Sequence, residues 1–232
     1  MNSLLIGGSG LVGSWVIQLY PTYFPMGQLV VFIRKSASSS FNSQNFQSQN
    51  IQFVEVDFDD ESTWDRKYLS NTETLICTLG TTIKKAGSKQ AFRKVDYDYP
   101  LAFAKWSLKH SFKRMSIVTA MGSNSKSGIF YSQVKGELEE ELAKLEIQNL
   151  SIFQPSLILG DRKERRIGEE IGKIAAGIIP FSLFGLDKIK PIQAEVISRA
   201  ILANLQTSII SNIPNIQIFE SDAIQKFAKP ET

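Results

Sequence analysis

Residues 3–13 read Ser3-Leu4-Leu5-Ile6-Gly7-Gly8-Ser9-Gly10-Leu11-Val12-Gly13. A short apolar strand runs straight into a glycine turn. Apolar positions then recur at Leu11, Val12, Trp15, Val16 and Leu19, the spacing of a buried helix face. Strand, glycine turn and helix in that order make a phosphate cradle. Glycines let the backbone approach a pyrophosphate without a clashing Cβ, and the N–H groups that open the helix face the anion. A dinucleotide is therefore the expected ligand, and a tight turn without a ligand is the alternative. The turn reads equally as Gly7/Gly10/Gly13 or as Gly8/Gly10/Gly13.

Outward from this turn, strand-like and helix-like segments alternate. Leu29-Val30-Val31-Phe32-Ile33 is an apolar run suited to a parallel strand buried on both faces. Residues 36–50 are rich in Ser, Asn and Gln and read as a loop or an ill-defined helix. Further strands are expected at 51–58, at 74–79 ending at Gly80, at 115–119 and from 151 to about 155. Helical patterns occupy 92–110, 131–148 and 195–208, and a late strand occupies 216–219. Such alternation predicts an α/β fold, a doubly wound (Rossmann) parallel sheet, in one NAD(P)-binding domain over 1–232. Past Gly160 the chain is irregular, with Gly172, Gly177, Pro180, Gly185 and Pro191. Ligands in such sheets bind outside the carboxyl ends of the strands, so 160–192 is the expected substrate cover. Its Ile171, Ile174, Ile178, Ile179, Phe181, Leu183 and Phe184 read as a pocket wall or as plain core.

The composition narrows the function classes. Among 232 residues, 26 basic and 23 acidic side chains leave +3, a balance that disfavours nucleic acid as a partner. The single cysteine, Cys77, excludes an internal disulfide and a cysteine-rich metal site. It reads as a small core residue. His110 is the one histidine and reads as a solvated helix-end residue, so no metal is expected. The apolar run at 171–185 is interrupted by Lys173 and Pro180, too short to span a bilayer. With the first strand beginning at Ser3, no room is left for a signal peptide, and the expected location is cytoplasmic.

The second strand ends in Arg34-Lys35. A carboxylate about 20 positions past the glycines would bond two ribose hydroxyls and favour NAD. Two cations instead match a 2′-phosphate, with Arg supplying a planar fork. The expected cofactor is NADP(H). Asp57, at the end of the third strand, reads as a partner for the adenine amino group or as a loop-start residue. Leu79-Gly80 ends the fourth strand, where backbone passes the adenosine, and 155–159 would pass the nicotinamide. Arg166 belongs to a charged stretch that folds over the phosphates or is simply solvated.

Tyr131 and Lys135 stand four residues apart and share one helix face. A free phenol has a pKa of about 10, too high for ready proton exchange at neutral pH. A neighbouring ammonium lowers it. Tyr131 would then give a proton to a carbonyl oxygen, and Lys135 would also hold the nicotinamide ribose. Thr119, closing the fifth strand, is the first choice for the hydroxyl that orients substrate, with Ser123 as runner-up. Lys84, Lys85, Lys89, Arg93 and Lys94 form a basic run that attracts phosphates or an acidic substrate, or is merely solvated. Leu138, Leu142 and Leu145 form a stripe read as core.

Four strings carry a family resemblance: CTLGTTIKKAG at 77–87, FRKVDYDY at 92–99, YSQVKGELE at 131–139 and QPSLILGDRKERRIGE at 154–169. With the glycine turn they make the chain resemble the atypical short-chain dehydrogenase/reductases, specifically the Tat-interacting protein family of NADPH-binding oxidoreductases and its bacterial relatives. The resemblance implies a Rossmann fold, NADPH at the strand tips and a tyrosine–lysine centre. By position it implies cofactor contacts at Ser9, Gly10, Leu11, Val12, Arg34, Lys35, Leu79, Gly80, Tyr131, Lys135, Ile158 and Arg166. The family has a serine pair where this chain has Thr119-Ala120. In related folds the helix bearing the leucine stripe often builds a dimer interface, so a homodimer is a further reading.

Three functions compete. The first is an NADP(H)-dependent oxidoreductase acting on a small carbonyl or hydroxyl substrate. The second is an NADPH-binding regulatory or redox-sensing protein with little turnover. The third is an epimerase or dehydratase that retains its cofactor.

Overall fold

The computed structural model describes residues 1–35, 46, 48–160, 190–207 and 213–228. Strands β1 (Ser3–Ile6), β2 (Leu29–Arg34), β3 (Ile51–Val56), β4 (Thr74–Cys77), β5 (Arg114–Val118) and β6 (Asn149–Gln154) join a late strand, Asn215–Glu220, in one sheet. All its neighbouring strands run parallel. A separate short pair, β7 (Ile158–Leu159) and β8 (Ile192–Gln193), makes the late strand β9. The seven-stranded order is β3-β2-β1-β4-β5-β6-β9. The chain therefore winds one way from β1 to β3, then returns and winds the other way from β4. The reversal opens a crevice above the carboxyl ends of β1 and β4, where doubly wound sheets take ligands.

The uniform apolar runs exist because both sheet faces are covered. Strands β1 and β4 are buried throughout. On one face Leu4, Ile6, Val30, Phe32, Leu75, Cys77, Ile117 and Ile152 pack under α4 (Tyr99–Lys109) and α5 (Phe130–Ala143). On the other, Leu5, Val31, Ile76, Val118 and Phe153 pack under α1 (Leu11–Tyr23) and α6 (Ala194–Thr207). The leucine stripe is core: Leu138 and Leu142 are fully buried, and Leu145 packs partly buried against them.

Several boundaries differ from the sequence reading. Strand β4 ends at Cys77, two residues early, because Thr78 turns its hydroxyl to the Ile6 and Gly7 carbonyls at 3.2 and 3.1 Å. The helix expected over 92–110 begins earlier, with α2 (Ile83–Ala86) and α3 (Lys89–Arg93). It then passes through a single π-helical turn, Lys94–Asp98, before α4. Helix α5 stops at Ala143 rather than 148. The β7–β8 pair and a final helix α7 (Ser221–Phe227) were not foreseen, being two and seven residues long. Residues 161–189 of the expected cover, with Arg166 and its apolar side chains, lie outside the described residues, as do 36–45. No helix among the described residues is long and apolar enough to cross a membrane.

Candidate functional site

The glycine turn is built for close approach. Gly7 sits at φ +87°, in the left-handed region, and a Cβ there would lie 2.6 Å from the Thr78 carbonyl carbon. A Cβ on Gly13 would lie 2.3 Å from the Gly7 oxygen and 2.8 Å from the Gly8 Cα, so this glycine sets how closely α1 packs on the turn. Gly8 abuts the side chains of Val31 and Ile17 instead. Gly10 takes the N-cap position in extended conformation, and no side chain caps the helix. The start of α1 is anchored from behind, where buried Ser198 on α6 donates to the Val12 carbonyl at 2.9 Å.

A cavity of about 340 Å³ lies over this turn, within the size range of small-molecule sites. Gly7, Ser9, Gly10, Leu11 and Val12 line it on one side, with Arg34 from β2 and Leu79 and Gly80 from the loop after β4. Thr119, Tyr131, Lys135 and Ile158 line it as well. The sequence had pointed to each of these. Gly13 lies behind the wall as a packing residue. Lys35 and Asp57 line a neighbouring pocket shared with Arg34, Phe58, Asp59 and Tyr99. The Asp57 carboxylate accepts the Asp59 N–H at 2.9 Å. Ser123 is absent from the cavity wall; its hydroxyl donates to the Ala120 carbonyl at 2.7 Å. Thr119 is buried, with its hydroxyl 3.4 Å from the Phe153 carbonyl.

Lys85, from the basic run after β4, also lines the wall, and so do Thr82 and Asp96, to which the sequence assigns no role. Asp96 matters most. The π turn carries its side chain into the cleft, where it is 1% exposed and lies 2.8 Å from the Lys135 ammonium, itself 3% exposed. Its other oxygen accepts the Thr81 N–H at 2.9 Å. Burial disfavours the Lys135 ammonium, but attraction to Asp96, with a smaller part from Tyr131, outweighs it and holds the lysine above its ordinary pKa. For Asp96 burial dominates and raises its pKa above the ordinary carboxylate value, against the pull of Lys135. Burial likewise raises the Tyr131 phenol; Lys135 draws it down and Asp96 pushes it up. Lys135 thus pulls in the expected direction, but burial outweighs it and Asp96 adds to burial, so the phenol ends above its ordinary value. The lysine's charge is already balanced by a carboxylate the sequence reading did not weigh. A signal was present, since an Asp among Phe92, Tyr99 and Phe103 falls on the apolar phase of a helical pattern.

The remaining candidates have local explanations. Burial pushes the Cys77 thiol up to about 12, leaving it an inert core group. His110 packs against Trp106 with its ring tilted, 4.5 Å between ring centroids. Among the described residues no group of acidic, histidine or cysteine side chains could hold a metal.

A parallel sheet in this order, with the glycine turn at its switch point and a tyrosine–lysine pair over it, is the NAD(P)-binding Rossmann fold of the atypical short-chain dehydrogenase/reductases. Residues 35–182 match the HIM1 family model, and the chain belongs to the HIM1 family. It is 27% identical over 237 residues to "Protein FMP52, mitochondrial" of Candida albicans, covering 98% of each chain. It is 38% identical over 106 residues to "Protein HTATIP2" of Rattus norvegicus, covering 46% of this chain and 43% of the relative. Among solved structures, UDP-glucuronic acid 4-epimerase from Bacillus cereus in complex with NAD shares the fold at TM-score 0.65 and 16% identity, covering 94% of this chain and 76% of the other.

The relatives overturn the cytoplasmic expectation, because FMP52 proteins from several fungi are named mitochondrial. The physical reason is plain. Balanced charge and a strand starting at Ser3 speak about partners and fold, and neither specifies a compartment.

Proposed function

We propose that this protein is an NADP(H)-dependent oxidoreductase acting on a small carbonyl or hydroxyl substrate. The observation that carries the reading is the convergence of Tyr131, Lys135 and Thr119 with the glycine turn and Arg34 on one cavity. The cradle fits a dinucleotide, since Gly7 and Gly10 carry no Cβ where the turn lines the cavity and the start of α1 has no side-chain cap. When bound, the cofactor supplies hydride. The chain's own residues do the rest. Amides opening α1 hold the pyrophosphate, and the Arg34 fork, with Lys35 beside it, takes a 2′-phosphate. Lys135 donates to ribose hydroxyls, Thr119 orients the substrate oxygen, and Tyr131 holds the proton that oxygen receives.

Several supports bear on the choice of cofactor. Arg34 borders both the main cavity and the neighbouring pocket, where a ribose substituent would emerge. No carboxylate follows it directly, although Asp57 and Asp59 share the neighbouring pocket. The test is NADPH consumption with a panel of small aldehydes and ketones, alongside NADPH affinity measured by calorimetry. Tyr131→Phe should abolish turnover and leave NADPH affinity within about twofold, since it removes one hydroxyl without touching the cradle. Turnover that survives this substitution overturns the oxidoreductase reading. The FMP52 relatives also support a mitochondrial location, which imaging of the tagged full chain would test.

A further inference from the structure

We propose that Asp96 is a positioning residue whose carboxylate offsets the Lys135 ammonium beside Tyr131 and so, together with burial of the phenol, holds Tyr131 in its protonated form. The inference deepens the oxidoreductase reading and rests on it for its functional consequence. A phenol that keeps its proton gives it to a substrate oxygen, whereas one that has lost it takes a proton. The site is thereby set for carbonyl reduction near neutrality, and its use in alcohol oxidation moves to alkaline pH.

The geometry is specific. A lone π turn inside a helix is uncommon and tends to occur at functional sites. This one, Lys94–Asp98, carries Asp96 into the cleft wall. There the carboxylate meets Lys135 at 2.8 Å while the Thr81 N–H holds its second oxygen at 2.9 Å. Both members of the pair are almost fully buried, where charge acts over distance with little screening. An ammonium alone in this position would favour a tyrosinate; an ammonium matched by a carboxylate does so far less. Among the described residues, the charged groups lining the cavity are Lys135 on α5, Asp96 on the π turn, Lys85 on α2 and Arg34 on β2. Those acting on Tyr131 are Lys135 and Asp96, in opposite senses. Cys77, on β4, is a neutral thiol, and Phe92 from α3 presents an apolar ring to Tyr131.

The test is a pH titration of the cofactor-free full chain carrying 13Cζ-labelled tyrosine, followed by NMR, with Tyr131→Phe assigning the signal. In the natural sequence the Tyr131 signal should stay at its phenol position through pH of about 10, where an ordinary tyrosine is half ionised. Ionisation clearly below that pH overturns the proposal. In Asp96→Asn the Tyr131 midpoint should move to lower pH, and an unmoved midpoint in a folded variant overturns the proposal. Should Asp96→Asn fail to fold, the natural-sequence titration can still overturn the proposal, and Asp96→Glu, which keeps the charge, should leave the Tyr131 midpoint high, a fall in that folded variant overturning it as well. These readouts need no turnover, so failure to reduce any carbonyl would count against the oxidoreductase reading and leave the charge assignment to the titration.

Discussion

Gly13→Ala tests how tightly the cradle is built. The added Cβ would stand 2.3 Å from the Gly7 oxygen, 2.7 Å from the Thr78 hydroxyl and 2.8 Å from the Gly8 Cα. Two of these neighbours are backbone of the glycine turn, which cannot rotate away. Restoring ordinary contact requires roughly 1 Å of separation between α1 and the turn. Helix α1 is held from behind by the Ser198–Val12 hydrogen bond and by α6, so the shift strains a packed layer. Overpacking of this kind costs about 1–3 kcal/mol. It also moves the N–H groups that open α1 by a distance capable of costing about 100-fold in a positioned interaction. The assay pairs urea unfolding with NADPH calorimetry and uses Gly80→Ala as the control. At Gly80 the nearest atom to an added Cβ is the Asp96 carboxylate oxygen at 3.7 Å, an ordinary contact. That variant should stay within about 0.5 kcal/mol of the natural sequence. If Gly13→Ala kept both natural stability and natural NADPH affinity, the close-packed cradle would be refuted.

Arg34→Ala should weaken NADPH binding by about 1.5–3 kcal/mol, the worth of a hydrogen bond to a charged group, and leave NADH binding unchanged; parallel calorimetry checks it, and equal losses for both cofactors would contradict it. Gly136→Ala should destabilise the fold by about 1–3 kcal/mol, since a Cβ there would meet the backbone of Asn124 and Ser125 at 2.2–2.6 Å; chemical denaturation reads this out. Cys77 should resist iodoacetamide in the native protein and react once unfolded, because burial raises its thiol to about 12; rapid native alkylation would contradict this. Burial raises Tyr20 from 10.0 to about 12, so its contribution is fully present below pH 10 and is lost as pH climbs toward 12. Denaturation across that window should show stability falling, with a smaller fall in Tyr20→Phe.

The sheet was legible because strands buried on both faces must be apolar throughout. Leu29–Arg34 and Thr74–Cys77 announce themselves for that reason. The cradle was legible because Gly7 and Gly13 answer to backbone contacts that no other residue tolerates. Hidden from the sequence was anything set by tertiary fit over a few residues. The two-residue β7–β8 pair has no periodicity to read. The π turn at Lys94–Asp98 leaves the helical pattern nearly intact while rotating the helix beyond it. Asp96 therefore sits inside a recognisable motif with no chemistry evident from its spacing, and the tyrosine–lysine pair was read as a pair when the structure makes it a trio. Spacing along one helix reveals partners on that helix; a partner from another element emerges only when the elements are packed.

In the proposed function, the cleft over Gly7–Gly13 receives a phosphorylated nicotinamide dinucleotide. Calorimetric titration of the purified full chain with NADPH, and in parallel with NADH, tests this most directly. Saturable one-to-one binding of NADPH, at least tenfold tighter than NADH, is the predicted result. Absence of heat and of saturation with either nucleotide would contradict it.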